Sequence, residues 1–272
     1  MARRAAAIAA GPAGNADSHA DAADAGQMKA LLRLLGLVLL AGLALQIYFV
    51  ARIALMAVVK PESTAFQRSE IYLIARHTGT LKWRQQWVPY AALPDHLKRA
   101  VIASEDASFA EHEGVDLEAL EKAWEKNARA EQRAAQLGSR LAPTRTAKPP
   151  KIIGGSTITQ QLAKNLFLSG ERTLLRKGQE LLLTLLLEAL LDKRRILEIY
   201  LNSVEWGEGV FGAEAAAQHY YRKPAARLSA YEAARLAVML PRPKYFETRP
   251  GSGYLASRAS TIAARMGGVE LP

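Results

Sequence analysis

The chain has 272 residues, contains no cysteine and carries a formal net charge of +10. Its length suffices for one sizeable domain plus an accessory segment, and the lack of cysteine excludes disulfide and thiolate chemistry. The positive charge indicates an anionic partner, such as nucleic acid, phospholipid headgroups or a phosphorylated substrate. Because the sequence has no RRM, zinc-finger or basic-zipper pattern, we expect no nucleic-acid partner.

An apolar segment lies close to the N-terminus. Residues 34–51 contain no charged residue, and as a helix they would extend roughly 27 Å, about the thickness of a hydrocarbon core. Apolar residues resume after Arg52, so we predict a transmembrane anchor with an interfacial collar over residues 28–59. A buried core helix is one alternative, and a cleaved signal peptide is another, although the apolar run is long for a signal peptide.

The flanking charges predict the orientation of this anchor. Lys29 and Arg33 are the cations closest to the N-terminal side of the apolar run, which favours a cytoplasmic N-terminus. Residues 60–272 then form an extracytoplasmic domain of a single-pass membrane protein. Residues 1–27, which are rich in Ala, Gly and Asp, predict a disordered cytoplasmic tail.

The first half of the soluble part predicts a short β segment followed by helices. Residues 66–90 mix β-branched and aromatic residues with polar ones, which indicates a hairpin or irregular β segment. Helical signals begin at Pro94 and Asp95, and a second helix is expected from Leu117 to about Gln136. Residues 137–151 are rich in proline and cations without an acid, so they predict a solvated basic loop or, alternatively, a lid.

Two further helices carry polar stripes. Ser156 is the expected N-cap of the first, on which Thr157, Gln160, Gln161 and Lys164 share one face. The second, about residues 173–192, is apolar almost all round and predicts a helix packed at a domain centre. Its polar residues, Arg176, Glu180, Thr184 and Glu188, recur every four positions. An ion-pair ladder would explain this line, but we favour a functional role for Arg176 and Glu180 and leave Glu188 open.

Five segments, in this order, resemble the motifs of the bacterial peptidoglycan glycosyltransferases, and specifically of their monofunctional biosynthetic form. They are EDASFAEHEGVD at 105–116, GGSTITQQLAKN at 154–165, RKGQE at 176–180, KRRILEIYLN at 193–202 and GVFGAEAAAQHYY at 209–221. The resemblance covers about residues 87–243 and departs from the family in the long basic stretch before Gly154. It implies a mainly α, lysozyme-like bilobed helical domain with a short β segment, preceded by one N-terminal transmembrane helix.

The resemblance also implies a reaction. Such enzymes polymerise lipid II at the outer face of the cytoplasmic (inner) membrane, which places residues 60–272 in the periplasm. The donor is the growing glycan on undecaprenyl pyrophosphate, and the acceptor is the 4-hydroxyl of the N-acetylglucosamine of lipid II. One displacement converts an α to a β linkage with inversion. Cell-division or elongation proteins are implied as further partners, and no organic cofactor is implied.

By similarity, Glu105 is the general base that deprotonates the acceptor. A departing pyrophosphate accumulates negative charge, which cations could neutralise; this role is implied for Lys164, Arg172, Arg176 and Lys177. Substrate contacts are implied for Ser156, Thr157, Gln160, Gln161 and Asn165, and a supporting, structural role for Asp106, Phe109 and His112.

Glu180 is an acid among these cations, and two roles are open for it. It could hold Mg²⁺ or Mn²⁺ on the pyrophosphate, or it could orient the neighbouring cations. The metal role is slightly favoured, because a buried glutamate paired with Arg176 would cancel a charge that phosphate binding needs.

Three other functions are weaker alternatives. A lysozyme-type enzyme that cleaves glycans would share the fold and a catalytic glutamate but would not need four clustered cations. A bifunctional penicillin-binding protein would need a transpeptidase, yet the sequence contains neither Ser-x-x-Lys nor Lys-Thr-Gly. A catalytically silent membrane scaffold is disfavoured by the intact acids and cations.

Overall fold

The computed structural model describes residues 16–138, 155–168 and 173–272. These residues form mainly α-helices, in chain order α1 (Ala16–Met56), α2 (Ala65–Thr78), α3 (Asp95–Glu105), α4 (Leu117–Gly138), α5 (Ile158–Phe167), α6 (Leu174–Leu190), α7 (Lys193–Ser203), α8 (Ala213–Tyr221), α9 (Ala230–Met239), α10 (Pro243–Glu247) and α11 (Gly253–Arg265). Three short strands are β1 (Arg84–Gln85), β2 (Glu205–Gly207) and β3 (Val210–Phe211). The mainly α, lysozyme-like class with a short β segment is confirmed.

Helix α1 contains the predicted anchor. Its part from Met28 to Met56 has a mean hydropathy of 2.3 and is long and apolar enough to cross a membrane. The prediction of a disordered tail is wrong for residues 16–27, which continue α1. These residues are rich in alanine, the strongest helix former. The rest of the predicted tail, residues 1–15, lies outside the described residues.

The chain divides into two compact units between Ala51 and Arg52, eight residues before the boundary predicted at residue 60. The second unit therefore includes the last turn of α1. Ile53 and Met56 are buried in this unit. Arg195 on α7 donates from Nε to the Met56 carbonyl at 2.7 Å and from Nη2 to the Val59 carbonyl at 3.0 Å. The first bond satisfies a carbonyl group that the end of α1 leaves unpaired, and the second binds the segment that follows α1.

Helix α2 corrects the prediction of a β segment over residues 66–90. Thr64 and Gln67 form a capping box at its start, and its buried residues Gln67, Ile71 and Ile74 fall on one helical face. The β-branched and aromatic residues that favoured a strand therefore serve a helix, because tertiary packing overrides local propensity. Only Arg84 and Gln85 of the predicted segment form a strand.

Two groups of helices build the second unit. Helix α3 packs against α9 and α11, while α5 packs against α6, α2 and α7. These helices bury apolar side chains in the core. Leu97, Val101, Ile102, Leu162, Ile196 and Leu236 are among those that are fully or almost fully buried. The three strands form one small sheet in the order β1-β3-β2, with β1 parallel and β2 antiparallel to β3.

Helix α6 is not packed on all sides as predicted. Its buried residues are Glu180, Leu183, Thr184 and Leu187, which lie on a single face at helical spacing. Exposed leucines occupy the rest of its surface, namely Leu174 (92% exposed), Leu175 (87%), Leu181, Leu182, Leu185 and Leu190. A continuous leucine run has no periodicity, so the sequence could not show how many faces have a partner.

Candidate active site

Glu105 is the last residue of α3 and lines a cavity. The buried face of α3, which includes Leu97, Val101 and Ile102, fixes this helix in the core, so its C-terminal residue is held at the surface. Glu105 is half-buried and lines a cavity of about 500 Å³ together with Ser104, Asp106, Ser156 and Thr157, among others. The cavity thus brings together residues from two of the motifs, 105–116 and 154–165.

Hydrogen bonds hold the Glu105 carboxylate in place. Gln161 on α5 donates from Nε2 to Oε2 at 3.1 Å, and Ser104 donates to Oε1 at 3.4 Å. Burial raises the pKa of Glu105 above its usual value, and these two hydrogen bonds partly oppose the rise. Gln161 in turn accepts a hydrogen bond from the Tyr200 hydroxyl at 2.9 Å. A carboxylate with a raised pKa is a stronger base than an exposed glutamate and is suited to accept a proton.

Asp106 ties the end of α3 to the start of α5. Its Oδ2 accepts from the backbone N–H of Ile158 at 2.9 Å, and its Oδ1 lies 2.9 Å from His112 Nε2. The backbone N–H of Gly114 donates to His112 Nδ1 at 3.1 Å, so Nε2 carries the ring proton and donates it to Asp106. Asp106 and His112 therefore make the bonds of supporting residues, which brace the loop after Glu105.

Gly114 allows this loop to approach α6. Its φ of +84° lies in the left-handed region, and a Cβ there would come within 2.8 Å of Glu188 Cγ and Thr184 Cγ2. Its carbonyl accepts from Thr157 Oγ1 at 2.6 Å. Phe109 is fully buried in the same loop, edge-on to His112 with Lys193 Nζ 4.6 Å from its ring centroid. Any side chain at position 114 would push the loop away from α6.

We predicted Ser156 as the N-cap of α5, but the N-cap is Thr157. Thr157 accepts from the Gln160 backbone N–H, and the Gln160 side chain accepts from the Thr157 backbone N–H, so the pair forms a capping box. The sequence pattern could have predicted this N-cap, because a capping box needs a glutamate or glutamine three residues after the cap. Gln160 stands at that distance from Thr157, whereas Thr159 stands at that distance from Ser156. Ser156 is exposed and lines the cavity instead.

Asp106, His112 and Asp116 place their ligand atoms within 4.8 Å of one another, close enough to suggest a metal. Their donor and acceptor positions are occupied by protein groups, however. Besides the bonds to Asp106 and His112, Asp116 accepts from Ser108 Oγ and from the backbone N–H of Ala119. A metal here would have to replace this network, so we assign it a structural role.

The cations cluster at the start of α6. Arg176 donates from Nη1 to Glu180 Oε2 at 2.9 Å, and Lys177 donates to Oε1 of the same carboxylate. Glu180 is 4% exposed, whereas Lys177 is exposed and lines a second cavity of about 520 Å³ with Trp124, Ser156 and Gln160, among others. Because Ser156 and Gly155 line both cavities, the cavity of Lys177 adjoins the cavity of Glu105.

The remaining predicted residues take varied positions. Lys164 is exposed near the end of α5, Asn165 is buried in the same helix, and Arg172 lies outside the described residues, as do residues 139–151 of the predicted basic loop. Glu188, whose role was left open, accepts from Thr159 Oγ1 at 2.6 Å and pairs with Lys193 at 2.9 Å. These contacts join α5, α6 and α7 and make Glu188 a structural residue.

Sequence reasoning assigned no role to Tyr200, Ser104 or Lys193. Tyr200 belongs to the KRRILEIYLN motif and is fully buried, yet it lies among apolar residues of α7 and could not be told from a core aromatic. Lys193 donates to the carbonyl of His112, a contact between residues distant in sequence. The only available signal was the polar hydroxyl of Tyr200, since a buried tyrosine usually hydrogen-bonds a partner.

Comparisons with known proteins identify the family of this chain. Residues 74–267 match the family model described as Transglycosylase. A biosynthetic peptidoglycan transglycosylase of Burkholderia thailandensis is 55% identical over 85% of this chain and 84% of its own length. Proteins of the same name from Burkholderia orbicola and Burkholderia multivorans are 53% and 52% identical, each over 85% of this chain and 87% of their own length. The chain belongs to the transglycosylase family, and it is a glycosyltransferase.

Proposed function

We propose that this transglycosylase polymerises the glycan strands of peptidoglycan. The donor is the growing glycan on undecaprenyl pyrophosphate, and the acceptor is the 4-hydroxyl of the N-acetylglucosamine of lipid II. One observation carries the proposal: the half-buried carboxylate of Glu105 lines a cavity that adjoins the cavity of the cation Lys177. Such a cleft can take a proton at one end and hold an anionic leaving group at the other.

In this reaction Glu105 removes the proton of the acceptor hydroxyl. The hydroxyl oxygen forms a bond to the anomeric carbon of the donor, the bond from that carbon to the pyrophosphate breaks, and the configuration inverts from α to β. The raised pKa of Glu105 makes it a stronger base than an exposed glutamate, and Gln161 keeps its carboxylate in place. The base is therefore held beside the cavity before the acceptor binds.

The cations at the start of α6 receive the pyrophosphate. Arg176 uses one guanidinium nitrogen for Glu180, and a guanidinium has five N–H donors, so it retains donors for a phosphate. Lys177 lies at the wall of the second cavity, where its charge can neutralise the oxygen that leaves. Lys164 and Arg172 are the other cations that we assign to this anion, on the motif resemblance.

Glu180 fits an orienting role better than a metal site. Both of its oxygens accept from cationic side chains, Arg176 and Lys177, and a divalent cation would have to displace them. We propose that Glu180 positions these two cations for the pyrophosphate. A requirement for Mg²⁺ or Mn²⁺ stays a prediction, and no step of the reaction above depends on it.

The enzyme works at a membrane. The apolar helix from Met28 to Met56 supports an anchor, and the cations Lys29 and Arg33 support a cytoplasmic N-terminus. We therefore place the second unit in the periplasm, at the outer face of the inner membrane, where a lipid-linked donor and acceptor are available. The exposed leucines of α6 support contact of this helix with the acyl chains or prenyl chains there.

A polymerisation assay with Glu105→Gln tests this function. The variant keeps the shape of the side chain but cannot take a proton, so glycan synthesis from lipid II should fall ~10²- to 10⁴-fold. Glu113→Gln is the matched control, because Glu113 is exposed and the substitution changes the net charge equally. The control should polymerise like the wild type. Near-normal synthesis by Glu105→Gln, with an unchanged melting temperature, would show that Glu105 is not the base.

A further inference from the structure

Behind Glu105 a chain of hydrogen bonds runs into the core. The Tyr200 hydroxyl donates to Gln161 Oε1 at 2.9 Å, and Gln161 Nε2 donates to Glu105 Oε2 at 3.1 Å. Tyr200 is 0% exposed on α7, whereas Gln161 and Glu105 are half-buried. The chain thus joins three helices, α7, α5 and α3, and ends on the carboxylate that faces the cavity.

The chemistry of the three groups fixes the direction of this chain. An ionised carboxylate only accepts hydrogen bonds, so Glu105 requires the NH₂ group of Gln161 and not its oxygen. The amide oxygen then points to Tyr200, whose hydroxyl must donate. If the amide turned around, its oxygen would face the carboxylate, and a charge-assisted hydrogen bond would become a repulsive contact. The phenol is the group that holds the amide against this rotation.

We propose that Tyr200 is a positioning residue for the catalytic base: its hydroxyl holds the Gln161 amide so that the NH₂ group faces Glu105 and keeps the carboxylate correctly aimed. This inference rests on the proposed function of Glu105 as the base. Tyr200 itself acts through Gln161, and its full burial separates it from substrate. Tyr200 on α7 is therefore coupled, through Gln161, to the protonation state of Glu105 on α3.

Other groups near Glu105 remain in place when the tyrosine hydroxyl is removed. Among the described residues, the charged groups that face it are Asp106, whose carboxylate raises the pKa of Glu105, and Arg258 of α11, which lowers it. The Ser104 hydroxyl lies between Glu105 Oε1 and the carbonyl of Ala237 in α9, 3.4 Å from each. Of the two hydrogen bonds that the described residues make to Glu105, one comes from Gln161 and depends on Tyr200. Its loss can therefore be measured while the bond from Ser104 stays unchanged.

The test is the pH dependence of kcat/KM for lipid II polymerisation by the full-length Tyr200→Phe variant. The hydrogen bond from Gln161 lowers the pKa of Glu105, so weakening this bond raises that pKa. Because the base works when ionised, the limb of the profile on which activity falls with decreasing pH should move to higher pH. On that limb kcat/KM should fall about two- to tenfold, mainly through kcat, as expected for one neutral hydrogen bond.

Two further variants separate positioning from a general loss of stability. Tyr220→Phe also removes a tyrosine hydroxyl bonded at 2.7 Å to a backbone carbonyl, that of Trp206, but has no link to Glu105. Its profile should keep the acid limb of the wild type. Gln161→Leu should move the limb as Tyr200→Phe does, and the double variant Tyr200→Phe/Gln161→Leu should behave like Gln161→Leu alone, because both act on one contact.

Failure of this inference can be told from failure of the proposed function. If the wild type makes no glycan from lipid II, the proposed function is wrong. If the wild type polymerises and the acid limb of Tyr200→Phe coincides with it, or the effects of the two substitutions add, then Tyr200 does not position the base. An unmoved limb in Gln161→Leu would also overturn the inference, since it means that the amide does not control Glu105.

Discussion

Glu180 lies buried between two cations of its own helix, one turn after Arg176 and three residues after Lys177. A carboxylate there neutralises part of the positive charge, but it also removes the rotamer freedom of two long side chains. Anion binding gains from cations that are already in position. The geometry therefore favours preorganisation of the cations over direct binding of a metal by Glu180.

This role predicts the kinetics of Glu180→Gln. The amide cannot hold both cations as the carboxylate does, so polymerisation should slow roughly ten- to a hundredfold, the range for a charge-assisted hydrogen bond. The activation curve for added Mg²⁺ or Mn²⁺ should keep its shape. Glu188→Gln, which breaks a half-buried ion pair between the same helix and Lys193 of α7, controls for lost stability. A flattened metal response confined to Glu180→Gln would instead support the metal role.

For single residues, the sequence predicts which polar side chains belong to the site, but not which groups they contact. Glu105, Gln161, Arg176 and Glu180 stood out because polar residues on apolar helices are costly without partners. Tyr200 did not, since a tyrosine in an apolar stretch has the pattern of a core residue. Its bond to Gln161 joins residues 39 positions apart, and a contact of this kind follows from tertiary packing alone.

Among the elements, β2 carries an unusual buried acid. Glu205 is 6% exposed, and Lys244 Nζ of α10 lies 3.4 Å from its Oε1. Burial raises the pKa of Glu205 to about 7, and the nearby carboxylates of Glu70 and Glu247 add to the rise, while Lys244 opposes it. Lys244 also binds Glu70 of α2. This cluster joins the sheet to α2 and α10.

The pKa of Glu205 predicts how stability depends on pH. The folded value of about 7 exceeds the unfolded value of 4.5, so the folded state binds more protons between these values and stability falls as pH rises through that window. The shift corresponds to a loss on the order of 3 kcal/mol above pH 7. Glu205→Gln removes this titration, so its melting temperature relative to the wild type should be higher at pH 8 than at pH 5.

Glu208→Gln in the adjacent turn is the control for this measurement. Glu208 pairs with Lys82 at the surface, and a hydrogen bond from Lys82 lowers its pKa. Its contribution to stability therefore changes below the window from pH 5 to pH 8, and the variant should keep the pH dependence of the wild type across it. A difference between Glu205→Gln and wild type that is equal at pH 5 and pH 8 would contradict the titration of Glu205.

The elements show where sequence patterns suffice and where they fail. The helix that begins at Leu117 could be predicted because a capping residue, Asp116, precedes periodic apolar residues. Helix α2 was mistaken for a β segment, since isoleucine and tyrosine favour strands and only its packing makes Ile71 and Ile74 buried. The exposure of the leucines of α6 could not be predicted from the sequence, because hydrophobicity alone does not show which faces of a helix have a packing partner.

For the whole molecule, the boundary between the two units lies within the apolar helix α1, between Ala51 and Arg52, and not at the end of that helix at Met56. The candidate span continues to Met56, but its last turn belongs to the second unit, where Ile53 is fully buried. Arg195 binds the carbonyls of Met56 and Val59. Helix α1 therefore has two parts in sequence order: residues 28–51, for which we propose membrane contact, and residues 52–56, which belong to the second unit.

Two truncations should separate the roles of these two parts. Deletion of residues 1–51 keeps Ile53, Met56 and the carbonyl acceptors of Arg195, so the remaining domain should melt like the full-length protein. It should polymerise lipid II at a similar rate in detergent. In liposomes its rate should fall, because an anchor confines the enzyme to the surface that holds its lipid-linked substrates and so raises their effective concentration.

Deletion of residues 1–59 removes the buried last turn as well. Loss of two buried apolar side chains at about 1.5–3 kcal/mol each should lower the melting temperature clearly and reduce activity in detergent and liposomes alike. Melting curves and initial rates of the three proteins, measured in both media, give the comparison. If the protein lacking residues 1–51 matches the full-length enzyme in liposomes, the anchor does not supply substrate. If the protein lacking residues 1–59 melts at the same temperature as the protein lacking residues 1–51, the last turn of α1 is not part of the domain core.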